Sequence, residues 1–77
     1  MYRYYLTQRP PEPGAVPKHP GMIVEDYGEK KKIGTVRTEV GDYGVYAWGH
    51  VDYPQQIPRA EIKTFELLYL GKGLGES

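Results

Sequence analysis

The stretch Asp42-Tyr43-Gly44-Val45-Tyr46-Ala47-Trp48-Gly49-His50-Val51-Asp52-Tyr53 decides the fold of this chain. It holds the single tryptophan, three of the eight tyrosines and one of the two histidines. Aromatic and β-branched residues separated by small ones read as a strand, because their side chains suit a pleated, half-buried surface. Alternation puts Tyr43, Val45, Ala47, Gly49, Val51 and Tyr53 on one face, with Gly44, Tyr46, Trp48, His50 and Asp52 on the other. Both faces carry aromatics. The pattern therefore predicts a central strand covered on each side, with a proline-rich segment as the cover of one.

That segment lies upstream. Tyr2 to Thr7 alternates as a first strand, and five prolines (Pro10, Pro11, Pro13, Pro17 and Pro20) then fall between Arg9 and Gly21. Proline fixes φ and lacks an N–H, so an extended arm over residues 9–21 is expected here, turning near Pro13-Gly14. A lid over the core is favoured for it over a ligand for someone else's aromatic groove. Met22 to Val24 reads as a short strand, 25–32 as a polar connection turning at Tyr27-Gly28, and Ile33 to Val40 as a further strand. Gly41-Asp42 would close a hairpin into the central strand. Pro58 suits a first helical position, which predicts a short helix over 57–64. Phe65 to Leu70 completes the strands, and 71–77 should be a flexible tail. The expectation is an α+β, mostly β domain over 1–70: a small antiparallel or mixed sheet of about five strands, one short helix and the proline arm.

Composition narrows the function. At 77 residues the core must be thin, and tyrosine does much of the apolar work. A homodimer would cover more of it. Ten basic and ten acidic residues cancel, so no global field attracts nucleic acid or membrane, and a DNA mimic's acidity is missing. The chain has no cysteine, which removes disulfides and thiolate metal sites and fits a cytoplasmic setting. Met1 to Gln8 lacks the pattern of a signal peptide, and no window has the length of a membrane span.

No catalytic constellation emerges. His50 could serve as a base or a ligand, but only scattered carboxylates such as Asp52 and Glu61 are available to complete a metal site. A half-buried histidine bonded to backbone is the expected outcome. Ser77 is the only serine, and Asp42 and Asp52 stand ten residues apart along one strand, too far for joint acid–base work. Gly71-Lys72-Gly73-Leu74-Gly75 has no helix after it to make a phosphate loop. No enzyme activity, cofactor or metal is expected.

Tyr4-Tyr5-Leu6-Thr7-Gln8-Arg9-Pro10-Pro11, then Pro13-Gly14-Ala15 and Pro17, open a pattern that continues through Tyr46–Tyr53. It closes with Ile57, Glu61-Ile62 and Phe65-Glu66-Leu67. This pattern resembles the small defence-against-restriction protein A-related proteins of Gram-positive gut bacteria and their mobile elements. The resemblance implies a non-enzymatic domain carried by plasmids, integrated elements or phages. The larger phage protein that names the family travels with DNA and protects it from type I restriction. No residue with a known binding role carries over.

Two expectations about function follow. The first is an antirestriction-related interaction domain that binds a protein partner, with Arg9, Pro10 and Pro11 beside a Tyr46/Trp48/His50 face, since Tyr, Trp and Arg dominate interface energies. The alternative is a single-stranded nucleic-acid binder. It would stack bases on Tyr46 and Trp48, an alternation similar to that of RNA-recognition strands, and would hold phosphates with Arg9, Lys30, Lys31, Lys32 and Arg37. That alternative requires the cations and the rings on one side. Glu25, Asp26 and Glu29 precede the lysines and favour an ordinary solvated loop.

Overall fold

A computed structural model describes residues 1–70. It contains β1 (Tyr2–Leu6), β2 (Ile23–Thr38), β3 (Gly41–Tyr53), α1 (Arg59–Thr64) and β4 (Leu67–Tyr69). The strands form one antiparallel sheet of four in the order β2-β3-β1-β4. The class is the expected one, mostly β with a single short helix. The strand number differs because the segments expected at 22–24 and 33–40 are one strand, the 16-residue β2. Its polar middle is not a reversing connection. Asp26 pairs with Gly49 and Lys31 with Ala47, so Tyr27, Gly28, Glu29 and Lys30 together oppose Trp48 alone. Such a bulge absorbs extra residues without ending the ladder. Gly28 takes the positive φ it requires, and its N–H donates to Asp26 Oδ1 at 2.8 Å.

The alternation in β3 places the core. Ala47, Val51 and Tyr53 are buried. Val51 and Tyr53 join Tyr4, Leu6 and Leu67 from β1 and β4, Ile57 ahead of the helix, and Ala15 and Val16 from the proline arm. Each large apolar side chain so buried contributes about 1.5–3 kcal/mol. The arm is the lid its prolines predict. It turns at Pro13-Gly14, with the Ala15 N–H donating to the Glu12 carbonyl at 2.9 Å and Gly14 at φ 87°. The buried Tyr53 hydroxyl donates to the Pro17 carbonyl at 2.6 Å and ties the lid down. Pro11 packs on Gly49, where a Cβ would lie 2.9 Å from the proline ring.

Other boundaries shift by local chemistry. Pro58 is the N-cap of α1 rather than its first helical residue, and β4 starts only after Glu66, which reverses the chain at φ 55°. The β2–β3 turn is Glu39-Val40, flanked by the Thr38–Gly41 pair. The tail expected at 71–77, with its glycine-rich segment, lies outside the described residues.

β3 is a central strand only over Gly49–Tyr53, where β1 pairs with it. Beyond Ala47 its sole neighbour among the described residues is β2, so residues 31–46 extend past the core as a two-stranded ribbon. The ribbon stretches the molecule to 40 × 24 × 23 Å. Val36, Val40, Tyr43 and Tyr46 are all exposed on it. Two-stranded ribbons are marginal in isolation. This one is anchored at its base by the sheet.

Candidate functional site

The face of the sheet away from the lid carries a line of polar and aromatic groups set by three strands. β1 contributes Arg3 and Tyr5, β3 contributes Trp48, His50 and Asp52, and the β2 bulge contributes Tyr27 and Lys30. Register explains the grouping, since Arg3 stands opposite Asp52 and Tyr5 opposite His50. Arg3 grips Asp52 with a two-pronged contact, Nε to Oδ1 at 2.9 Å and Nη2 to Oδ2 at 3.1 Å. That bond holds the Asp52 carboxyl below the ordinary carboxylate range, and it raises the already high pKa of the guanidinium.

His50 sits between this pair and the bulge. Its Nδ1 lies 2.6 Å from the Tyr27 hydroxyl, and its Nε2 faces Asp52 Oδ2 at 3.9 Å. Burial, then the nearby Arg3 charge, lowers its pKa, so the ring is neutral at pH 7. A carboxylate near Nε2 favours the hydrogen there, which leaves Nδ1 to accept from Tyr27. The tyrosine's own pKa is raised, first by burial. Tyr5 and Tyr27 both meet the imidazole edge-on, with ring centroids 6.0 and 5.4 Å away. His50 thus bonds a side chain where a backbone partner was expected. The relay is closed on itself, and among the described residues no group of three His, Asp or Glu side chains could hold a metal.

Next along β3 the character changes. Lys30 places its ammonium 6.0 Å from the Trp48 ring, and Lys31 places its own 5.9 Å from the Tyr27 ring. Lys32 stands directly opposite Tyr46. Both reach over Gly44: a Cβ there would lie 2.9 Å from the Tyr46 ring and 3.3 Å from Lys32 Cε. The bulge thus brings Lys30 to the Trp48 ring, and the ladder that resumes after it sets Lys31 near the Tyr27 ring and Lys32 opposite Tyr46. The sequence reading carried this grouping only as its alternative, and favoured a solvated loop because it took 25–32 as a connection.

Other expected site residues do not join them. Pro11 packs on Gly49 on the lid side, opposite Trp48 and His50, and Arg9 pairs with Glu66 ahead of β4. Arg9 and Pro11 therefore do not form the expected border of the Trp48 face, since Pro11 lies on the lid side of Gly49 and Arg9 is held by Glu66. Arg37 pairs with Asp42 at 3.5 Å near the ribbon tip, away from the lysines. Arg3, Tyr5 and Tyr27 were not singled out, and Asp52 was weighed only as a stray carboxylate near His50. The β1 alternation already put Arg3 and Tyr5 on one face, but their partners depend on register.

The lid side has its own recess of about 410 Å³, lined by His19, Pro20, Tyr53, Pro54 and residues 55–58. His19 Nε2 lies 2.7 Å from Glu61 Oε1 beside it.

Four antiparallel strands under a proline lid, two of them running on as a ribbon, define a small α+β domain. A family model described as Defence against restriction A C-terminal matches residues 1–72, and the chain belongs to that family. No curated protein and no solved structure matches it. Among the described residues, no helix is long and apolar enough to cross a membrane.

Proposed function

We propose that this chain is a non-enzymatic interaction domain that serves defence against restriction by binding a protein partner on the β2–β3 ribbon. The family description supports the biological role. The observation that carries the mode of action is the ribbon itself. Val36 and Tyr43 stand directly opposite each other on one side, and both are about half exposed, at 45% and 53%. Past Ala47 the outer edge of β3 has no strand beside it among the described residues. An open edge flanked by apolar side chains suits a partner that adds a strand and seats its own side chains on Val36 and Tyr43. The setting we assign is the cytoplasm of a cell receiving DNA from a phage or mobile element. The closed Tyr27–His50–Asp52–Arg3 relay is assigned to structure, since every member already has a partner.

The test is recovery of unmodified DNA in a restricting host, with and without the chain. Wild type should raise recovery, and the variant Val36→Lys/Tyr43→Lys, folded by circular dichroism, should not. No protection by wild type would sink the antirestriction role. Equal protection by the variant would remove the ribbon as the docking surface. If the variant instead changes a concentration-dependent mass, the occupant is a second copy of the chain.

A further inference from the structure

The two sides of the ribbon differ. Val36 and Tyr43 occupy one side, whereas Tyr46, Lys32, Trp48 and Lys30 gather at the base of the other. Lys30, Lys31 and Lys32 form no ion pair among the described residues, while Arg3, Arg9 and Arg37 each do. Glu25, Asp26 and Glu29 lie in the same stretch, with Asp26 accepting from the Gly28 N–H, but among the described residues none of the three forms an ion pair with a lysine. A lysine pointed at a ring is incompletely neutralised, so the base of the ribbon is a patch of cations and aromatic faces in a chain that is neutral as a whole.

We propose that this patch binds single-stranded nucleic acid. Bases stack on the exposed Tyr46 ring and the outer part of Trp48, and Lys30, Lys31 and Lys32 hold the adjoining phosphates. Residues two apart on a strand lie about 7 Å apart, an interval over which an extended single strand can present successive bases. A duplex hides its base faces and offers Tyr46 nothing to stack on. An acidic protein surface would engage the lysines but leave the rings unused. The single-strand reading uses both. It does not depend on protein docking at Val36 and Tyr43, which lie on the other side of the ribbon.

Trp48, the only tryptophan, reports the binding directly. The 77-residue chain is titrated with an oligothymidylate, with the same sequence as a duplex, with polyphosphate and with polyglutamate. Saturable quenching by the single strand is expected. Three phosphate contacts predict a roughly twenty-fold loss of affinity for about a fourfold rise in salt. Tyr46→Ala should weaken binding about tenfold, and Lys30→Ala/Lys31→Ala/Lys32→Ala should abolish the salt dependence. These side chains are exposed, so circular dichroism should be unchanged. Absence of quenching at low salt overturns the proposal. So does equal binding of polyphosphate with no effect of Tyr46→Ala, which would reduce the patch to plain electrostatics. Equal binding of polyglutamate would hand the lysines to an acidic protein partner.

Discussion

The Tyr27 hydroxyl stands 2.6 Å from His50 Nδ1, which pins the four-residue bulge of β2 to the centre of the sheet. Without that bond nothing in the β ladder would fix residues 27–30, because they have only Trp48 opposite them. The hydrogen bond therefore sets where Lys30 and Lys31 point. Tyr27→Phe should cost about 1 kcal/mol of stability and shift Trp48 emission as Lys30 leaves the indole. Unchanged emission would separate the bulge from this bond.

His50 also makes stability depend on pH. Its folded pKa is lowered from 6.5, with burial the main cause. The unfolded chain thus binds a proton that the folded chain refuses. The contribution is present above 6.5 and is lost as pH falls through the lowered folded value. Thermal denaturation should show stability declining below about pH 6.5, and His50→Gln should flatten that stretch of the profile.

Asp52 acts at lower pH. Its carboxyl is depressed, first by the Arg3 hydrogen bond, so its contribution is present above 3.8 and is lost as pH falls through the depressed value. Arg3 is substantially exposed, at 41%, which limits the pair to about 1 kcal/mol. Arg3→Gln should remove that amount at pH 7 and none of it at a pH where Asp52 is protonated. An equal loss at both would mean that Arg3 acts through packing.

The Tyr53 hydroxyl holds the proline lid, and its pKa is raised to about 12, chiefly by burial and then by Glu61. A raised value means stability that is complete below pH 10 and falls as pH climbs through 12. Tyr53→Phe should abolish that alkaline loss. By orphaning the Pro17 carbonyl it should also cost about 1–3 kcal/mol and open residues 9–21 to proteolysis.

Glycines separate core from ribbon. At Gly49 any Cβ would run into the Glu25 carbonyl and the Pro11 ring, so Gly49→Ala should cost about 1–3 kcal/mol globally. Gly41, at φ 137°, meets nothing within 4 Å. Gly41→Val should strain only the turn, raising amide exchange across 31–46 while the melting of the core stays put. A matching fall in core stability would show the ribbon to be part of one cooperative unit.

Alternation is local, and the sequence by itself determined what depends on it. Ala47, Val51 and Tyr53 against Trp48, His50 and Asp52 could be read from spacing, as could Tyr4 and Leu6 against Arg3 and Tyr5. The proline content of 9–21 dictated an extended arm, because five rings and missing donors exclude anything else. Short motifs at both ends carried the family. The tertiary structure decided which distant residues meet. Gly28 looks the same in a reversing turn and in a bulge, since both need a positive φ, and only the β3 ladder beneath it selects the bulge. That selection merged two expected strands into one, carried the lysines to the rings and left the ribbon with no other strand beside it among the described residues. Arg9 and Pro11 went elsewhere because Gly49 offered Pro11 a place on the core side and Glu66 offered Arg9 a charge. Pairing of this kind depends on register across the sheet, which local spacing does not encode.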